Sequence, residues 1–276
     1  MENNSKDKIR ASVMENYKRV ALQNETQENS QSDCCDPSTT NSETSCCGSS
    51  DTNIFENISH KLGYSSDECK NVPEGSNMGL GCGNPQAIAS LQKGATVLDL
   101  GSGGGFDCFL AAKSVGDTGK VIGVDMTPEM ISLARNNAVK GAYKNTEFRL
   151  GEIEHLPVAD ATIDVIISNC VINLSPEKEQ VFEEAFRVLK PGGKLAISDV
   201  VLAAEMPDDL KKDVLLYAGC VGGASSIDAI QTMLSKSGFQ DIKIEPKLKS
   251  KEFIRDWAPG RGIENYIVSA SIEAVK

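Results

Sequence analysis

The segment VLDLGSGGGFD, residues 97–107, decides the fold class. Its first half, VLDL, is apolar except for Asp99 and is typical of a buried strand. Its second half is a glycine-rich turn that leads into a predicted helix at 106–115. A strand that turns directly into a helix presents backbone N–H groups above the strand end, which favours the binding of a nucleoside ligand there.

Strands and helices alternate outward from this segment. Further strands are predicted at 120–125, 146–150, 162–168 and 194–201, and the helices between them at 128–140 and 177–189. This alternation predicts an α/β fold with a parallel, doubly wound sheet. The C-terminal part continues with predicted helices at 207–218 and 226–237 and strands at 239–246 and 264–272.

The N-terminal part has a different composition. Apolar residues recur at helical spacing over 5–23, whereas 23–53 consists almost wholly of polar residues and cannot offset chain entropy by burial. We predict an N-terminal helix followed by a flexible segment, which contains the pairs Cys34-Cys35 and Cys46-Cys47. Two short helices are predicted after it, at 54–62 and 66–71.

The bulk composition limits the class of partner and the compartment. The chain has 276 residues with 28 basic and 39 acidic side chains, a net charge of −11, which disfavours nucleic acid and anionic membranes and favours a small-molecule substrate. Its first ten residues, MENNSKDKIR, are polar and lack the apolar stretch of a signal peptide, so we predict a cytoplasmic protein. Nine cysteines in a reducing compartment indicate metal or redox chemistry.

The glycine loop and a carboxylate after the second strand predict the cofactor class. Gly101, Gly103 and Gly105 follow a G-x-G-x-G spacing, but Phe106 occupies the position of the third glycine of a dinucleotide fold, so a pyrophosphate fits poorly. Asp125 ends the second strand, where a carboxylate binds a ribose diol. The alternative is that Asp125 only caps the helix that begins at Pro128.

Four segments resemble the class I methyltransferases that use S-adenosylmethionine: DLGSGGG at 99–105, GVD at 123–125, GEIEHLPVADATIDVI at 151–166 and RVLKPGG at 187–193. The resemblance implies a Rossmann-like sheet in which the first aspartate and the glycine loop hold the methionine end, the second aspartate the ribose, and the residues after the second and third strands the adenine. The residues expected to bind the cofactor are Asp99, Gly101, Ser102, Gly103, Gly105, Asp125, Met126, Glu152, Ile153 and Asn169.

Three cysteines stand where packing does not explain them. Cys82 and Cys220 lie among glycines, and Cys170 follows the fourth strand, at the sheet edge where ligands of doubly wound folds bind. We expect their sulfurs to converge into a pocket for a soft electrophile. Structural zinc is the alternative, but the cysteines lie 88 and 50 residues apart, with no C-x-x-C pair and no histidine nearby.

Three motifs extend the resemblance to the arsenite S-adenosylmethionine methyltransferases: PEGSNMGLGCGNP at 73–85, SNCVINLSPEKEQVFEEAFRVLKPGG at 168–193 and LYAGCVGGA at 216–224. The resemblance implies that Cys82, Cys170 and Cys220 bind trivalent arsenic and are the catalytic residues. For the family's further upstream cysteine we favour Cys46 and Cys47 over the earlier pair. A thiol reductant, of the glutathione or thioredoxin type, is expected as a partner because methylation oxidises arsenic.

The resemblance implies a function in arsenic detoxification and divides the chain into four parts. We assign 1–53 to the N-terminal helix and cysteine-rich segment, 54–204 to the cofactor-binding core, 205–225 to a metalloid-binding cap, and 226–276 to the C-terminal helix and strands. Two other functions remain open. One is a C- or O-methyltransferase of a small apolar acceptor such as a quinone or sterol, and the other is a non-catalytic metalloid-binding protein.

Overall fold

A twisted sheet forms the centre of the protein. The computed structural model describes the backbone of residues 2–32 and 51–276 and the side chains of 6–24 and 54–276. The strands of the sheet are β1 (Thr96–Leu100), β2 (Lys120–Asp125), β3 (Thr146–Leu150), β4 (Ile163–Asn169), β5 (Leu189–Leu202), β6 (Ser225–Ser226), β7 (Gln240–Lys247) and β8 (Ile267–Val275). Their spatial order is β3-β2-β1-β4-β5-β8-β7, and the short β6 pairs with β5.

The sheet is parallel over its first five strands and antiparallel at its C-terminal edge. β1 pairs in parallel with β2 and β4, and β4 with β5, as predicted. β8 runs antiparallel to both β5 and β7. The alternation of strands and helices predicts the parallel pairing of β1 to β5, which the structure confirms, and it leaves the direction of the last two strands open.

Helices cover both faces of the sheet, which confirms the doubly wound architecture. The helices are α1 (Glu2–Ser32), α2 (Asp51–Leu62), α3 (Ser66–Lys70), α4 (Gln86–Ala89), α5 (Phe106–Val115), α6 (Pro128–Lys140), α7 (Lys178–Val188), α8 (Asp208–Lys211), α9 (Val214–Ala218), α10 (Ile227–Ser237) and α11 (Lys251–Ile254). Phe109 of α5 and Ile131 of α6 belong to the core on one face. Phe182 of α7 and Leu234 of α10 belong to the core on the other.

Local sequence explains where several helices begin and end. Pro128 occupies the first turn of α6, where its missing N–H costs nothing. The Ser226 side chain accepts a hydrogen bond from the Ala229 N–H at the start of α10, and Gly238 ends that helix in the left-handed conformation at φ 103°. These signals place α6 and α10 within a residue of their predicted bounds.

The structure differs from prediction in three places. α1 continues to Ser32 rather than ending near residue 23, so a polar surface did not prevent helix formation there. The predicted helix 207–218 is divided into α8 and α9, because the Asp213 carboxylate caps α9 by accepting the N–H groups of Leu215 and Leu216. The PGG turn, residues 191–193, lies within β5.

Candidate active site

A cavity of about 400 Å³ lies above the carboxyl ends of β1, β2 and β4. One end, here called the nucleoside end, is formed by Asp99, Gly101, Ser102, Gly103 and Asp125. At the other end Cys170 and Cys220 line the cavity. Cys82 and Asp199 lie buried beside them, and these four residues are here called the thiol end.

Close packing around the glycine loop of the nucleoside end excludes a side chain at Gly101. The N–H groups of Gly101 and Ser102 both donate to the Val124 carbonyl, at 2.8 and 3.0 Å, which fixes the loop on β2. Gly101 has a φ of 70°, and a Cβ there would overlap the Val171 side chain. Ser102 lines the cavity, and its hydroxyl is buried with no hydrogen-bond partner among the described residues. The loop therefore offers a close backbone surface to a ligand.

Buried carboxylates surround this loop. Burial, with Asp107 nearby, raises the pKa of Asp99 well above its usual range. Burial likewise raises the pKa of Asp107 to about 6, although the Tyr64 hydroxyl donates to it at 2.8 Å. Sequence reasoning did not select Asp107, whose position in the first turn of α5 was the available signal. A cationic ligand group would stabilise both carboxylates in their charged form.

Asp125 has the position expected of a ribose ligand and also the contact expected of a helix cap. One carboxylate oxygen accepts the Gly103 N–H at 3.0 Å and the other accepts the Thr127 N–H at 2.8 Å, immediately before α6. The Thr127 side chain also hydrogen-bonds to the carboxylate, which leaves one of its acceptor positions open, and Asp125 lines the cavity. The capping interpretation and the ligand-binding interpretation are therefore compatible.

The residues predicted to contact adenine are only partly at the cavity. Met126 and Ile153 line it. Glu152 is exposed, and its carboxylate lies 3.9 Å from the Arg10 guanidinium. The neighbouring Glu154, which sequence reasoning passed over, is buried and lines the cavity instead. Gly105 begins α5 without lining the cavity.

The three cysteines of the thiol end come together from separate loops. Cys82 follows α3, Cys170 follows β4 and Cys220 follows α9, and all three are at least 93 % buried. The Cys170 thiol interacts with the thiols of both Cys82 and Cys220. The Cys220 thiol also donates to the Cys170 carbonyl oxygen at 2.6 Å. Their surroundings are apolar and include Met206 and Leu216.

Two of these cysteines have a strained backbone. Cys170 has a φ of 59° and Cys220 a φ of 65°, in the left-handed region that residues with a Cβ adopt at a cost of about 1–2 kcal/mol. The Cys170 conformation is held by its N–H, which donates to the Ser198 carbonyl at 2.8 Å. Strain that the surrounding structure maintains at two residues of one cluster is characteristic of a functional site.

Asn169 fixes the Cys82 loop to the end of β4. Its side-chain oxygen accepts the Cys82 N–H at 3.0 Å, and its amide nitrogen donates to the Gly83 carbonyl at 2.9 Å and to the Tyr64 hydroxyl at 3.0 Å. Sequence reasoning selected Asn169 as a cofactor ligand. It lines the cavity, but its hydrogen bonds connect Cys82 to the Tyr64–Asp107 pair of the nucleoside end.

The electrostatics of the thiol end favour neutral thiols before a ligand binds. Burial raises the pKa of Cys82, and the hydrogen bond with Cys170 followed by burial raises that of Cys220. Burial raises the pKa of Asp199 to about 6 and lowers that of the half-buried Lys178, whose ammonium lies near Asp199 and Cys220. A thiophilic ligand must therefore displace thiol protons as it binds.

The N-terminal helix covers the cavity, which its spacing pattern alone did not show. α1 packs against α6 and α9. Arg10, Val13 and Tyr17 of this helix line the cavity, and the Tyr17 hydroxyl hydrogen-bonds to the Cys220 thiol. The apolar positions of the helix thus face the site. Each of these contacts lies within the part of α1 whose side chains are described.

Other cysteines lie apart from the cluster or outside the described residues. Cys108 is fully buried on α5, and its thiol donates to Asp99 at 3.2 Å. Cys69 is half-buried on α3. The pairs Cys34-Cys35 and Cys46-Cys47 lie outside the described residues. Over 2–32 and 51–276, every helix is too short or too polar to traverse a lipid bilayer.

Comparisons with known proteins connect this geometry to a family. Residues 91–238 match the model of a methyltransferase domain. Arsenite methyltransferase from Halobacterium salinarum is 57% identical over 79% of this chain and 56% of its own length, and the enzyme of that name from Aquipseudomonas alcaligenes is 44% identical over 62% and 51%. The chain thus spans about half the length of these relatives. The crystal structure of an arsenic (III) S-adenosylmethionine methyltransferase from Chlamydomonas reinhardtii superposes with a TM-score of 0.60 at 34% identity, covering 79% of this chain and 73% of that one.

Proposed function

We propose that this chain, which belongs to the family of arsenite methyltransferases within the class I methyltransferases, methylates trivalent arsenic with S-adenosylmethionine. One observation carries the proposal. A single cavity has the nucleoside end at one side and Cys170 and Cys220 at the other, with the buried Cys82 beside them. Donor and acceptor would thus be held against each other, which is the main requirement for a displacement reaction.

The nucleoside end fits the cofactor. When bound, S-adenosylmethionine supplies a methyl group activated by its sulfonium centre. Asp99 and Asp107, both buried beside the glycine loop, would face the ammonium of its methionine part. The Asp125 carboxylate would accept a ribose hydroxyl, and Ile153 would pack against the adenine.

The thiol end would hold the acceptor. Cys82, Cys170 and Cys220 would bind trivalent arsenic as thiolates, releasing their protons, and the Lys178 ammonium would favour the thiolate form. Such a pocket selects a soft metalloid over Mg²⁺ or Ca²⁺, which require oxygen ligands. Three protein thiolates neutralise the charge of arsenic(III) and leave its lone pair as the nucleophile, so the protein need not supply a general base.

The proposal includes an external reductant and a cytoplasmic location. Methylation raises the formal oxidation state of arsenic by two, and two thiolates that close a disulfide return two electrons. A reductant of the glutathione or thioredoxin type would then reopen the disulfide. Cys46 and Cys47 would deliver arsenic or take part in this exchange. The reducing cytoplasm would supply the reductant and keep the cysteines reduced between turnovers. The products of detoxification would be methylated arsenicals.

The experiment is methylation of arsenite by the purified full chain. It is incubated with S-adenosylmethionine, arsenite and a thiol reductant, and the arsenic species are separated and quantified. We expect methylated arsenic from the wild type and a loss of about 100-fold or more in Cys170→Ser, since transition-state interactions of this kind contribute several kcal/mol. Cys69→Ser, which alters a half-buried thiol outside the cluster, is the matched control. Full turnover by Cys170→Ser would refute the assignment.

A further inference from the structure

The thiol end contains a second set of ligand atoms that differs from the arsenic triad. The sulfurs of Cys82 and Cys170 and a carboxylate oxygen of Asp199 all lie within 4.8 Å of one another, and all three residues are buried. Cys220 is not a member of this set. It hydrogen-bonds to the thiol and the carbonyl of Cys170. Two overlapping triads therefore share Cys82 and Cys170 and differ in the third ligand.

Hydrogen bonds hold the Asp199 carboxylate beside the two thiols. Its Oδ1 accepts two hydrogen bonds, from the Asn173 side-chain amide and the Val200 N–H, each at 2.8 Å. Its Oδ2 accepts the Ile172 N–H at 2.9 Å, and the Asn173 backbone N–H is a further donor to the carboxylate. These bonds fix the orientation of the carboxylate, as hydrogen bonds to metal-binding side chains do.

Two thiolates and one carboxylate are the ligands that zinc-class cations prefer. Zn²⁺ binds sulfur at about 2.3 Å and carboxylate oxygen at about 2.0–2.2 Å in a tetrahedron, which requires ligand atoms roughly 3.5–4 Å apart. The observed separations of at most 4.8 Å are close to this value. Trivalent arsenic instead takes three thiolates. The third ligand thus decides which ion the pocket accepts.

The charges near the site suit both ions. With the half-buried Lys178 ammonium beside Asp199, a divalent cation on two thiolates and the carboxylate gives a neutral group if Cys220 keeps its proton. Trivalent arsenic on three thiolates is neutral in itself, and Asp199 then pairs with Lys178. Neither arrangement leaves an uncompensated buried charge, which would cost several kcal/mol.

We propose that Cys82, Cys170 and Asp199 form a binding site for a thiophilic divalent cation of the zinc–cadmium class, and that a cation there excludes arsenite from two of its three thiolates. Binding releases two thiol protons to solvent and oxidises nothing. The competition with arsenite rests on the proposed function, whereas the cation site stands on the geometry alone. Asp199 is accordingly the residue that distinguishes the two ions.

The test uses Cd²⁺, whose thiolate complexes absorb in the ultraviolet, on the reduced full chain. To remove other thiols, the background carries serine at positions 34, 35, 46 and 47. We expect one Cd²⁺ per chain and an affinity lowered about tenfold or more in Asp199→Asn. Cys220→Ser, which keeps all three cation ligands, is the matched comparison and should stay within about threefold of the background for Cd²⁺. Arsenite binding should show the reverse order of effects.

Two results would overturn the proposal. One is an Asp199→Asn variant that folds, as judged by circular dichroism, and binds Cd²⁺ as tightly as the background. The other, which decides the matter if Asp199→Asn does not fold, is loss of Cd²⁺ binding in Cys220→Ser. A wild type that binds Cd²⁺ as expected but methylates no arsenite would refute the proposed function and leave the cation site standing. A wild type that methylates arsenite undiminished with one Cd²⁺ bound would refute the competition.

Discussion

The two ends of the cavity differ in how the chain builds them. The nucleoside end comes from one continuous stretch, β1 through the glycine loop to the end of β2, and backbone hydrogen bonds within that stretch fix it. The cysteines of the thiol end come from three loops that meet only in the folded protein, and two of them have a left-handed backbone. Local sequence thus determines the first end, and tertiary contacts determine the second.

The difference predicts that substitutions at the two ends separate the two binding activities. Asp125→Asn should lower the affinity for S-adenosylmethionine by about 10–100-fold and leave the affinity for arsenite unchanged, since hydrogen bonds to a charged group are worth about 1.5–3 kcal/mol. Cys82→Ser should lower the affinity for arsenite by about 100-fold or more and leave the affinity for the cofactor unchanged. Isothermal titration of each ligand against each variant measures both effects.

An equal loss of affinity for both ligands in either variant would contradict the independence of the two ends. It would mean that the ends form one cooperative unit, with Asn169 as the connection between Cys82 and the Tyr64–Asp107 pair. Circular dichroism of each variant distinguishes this outcome from unfolding.

The same difference explains how much of the molecule could be predicted from sequence. β1, the glycine loop and α5 follow from local signals, namely a buried run, a turn and a helix start, so their predicted bounds hold. That Cys82, Cys170 and Cys220 share one site came from their unusual settings and from the family resemblance. No local signal placed Asp199 beside them, because that contact depends on the register between β4 and β5.

Residues outside the motifs were missed for the same physical reason. Arg10 and Tyr17 line the cavity because α1 packs on α6 and α9, and helical spacing shows only that a helix has an apolar side. Asp107 stands in the first turn of α5, where an acidic residue is also explained by the helix dipole. The direction of the two C-terminal strands was not predicted, because the alternation of strands and helices does not reveal it.

A glycine beside Cys82 provides a second way to test the dependence on tertiary contacts. Gly81 has a φ of 122°, and a Cβ there would lie 2.7 Å from the Asn169 side-chain amide. Gly81→Ala should lower the free energy of unfolding by about 3 kcal/mol through strain and overpacking, and it should displace Cys82. Urea unfolding and arsenite titration report the two effects.

Gly260→Ala is the matched control for this substitution. Gly260 is also left-handed, with a φ of 79°, but a Cβ there would meet nothing within 4 Å. Gly260→Ala should lower the free energy of unfolding by only about 1–2 kcal/mol, through backbone strain, and leave the arsenite affinity unchanged. Equal arsenite affinities in the two variants would show that the Asn169 contact does not position Cys82.

The smallest predicted effect is on the pH dependence of stability, through the buried carboxylate of Asp107 beside the nucleoside end. Asp107 has a pKa of about 6 in the folded protein, raised by burial from 3.8. Between these values the folded chain holds a proton that the unfolded chain releases, so stability falls as pH rises from about 4 to about 6. In Asp107→Asn this fall should shrink by on the order of 2 kcal/mol, measured by urea unfolding near pH 4 and pH 7.

Asp164 provides the control of opposite sign. Its pKa lies below the ordinary value because the Lys190 ammonium and the Thr96 N–H outweigh the effect of partial burial. Its contribution to stability is therefore present above the unfolded pKa and is lost as pH falls through the folded value, so Asp164→Asn should be most destabilised at neutral pH. If Asp107→Asn showed the same sign as Asp164→Asn, the Asp107 carboxylate would be stabilised by its hydrogen bonds rather than strained by burial, and no cation would be needed to hold it charged.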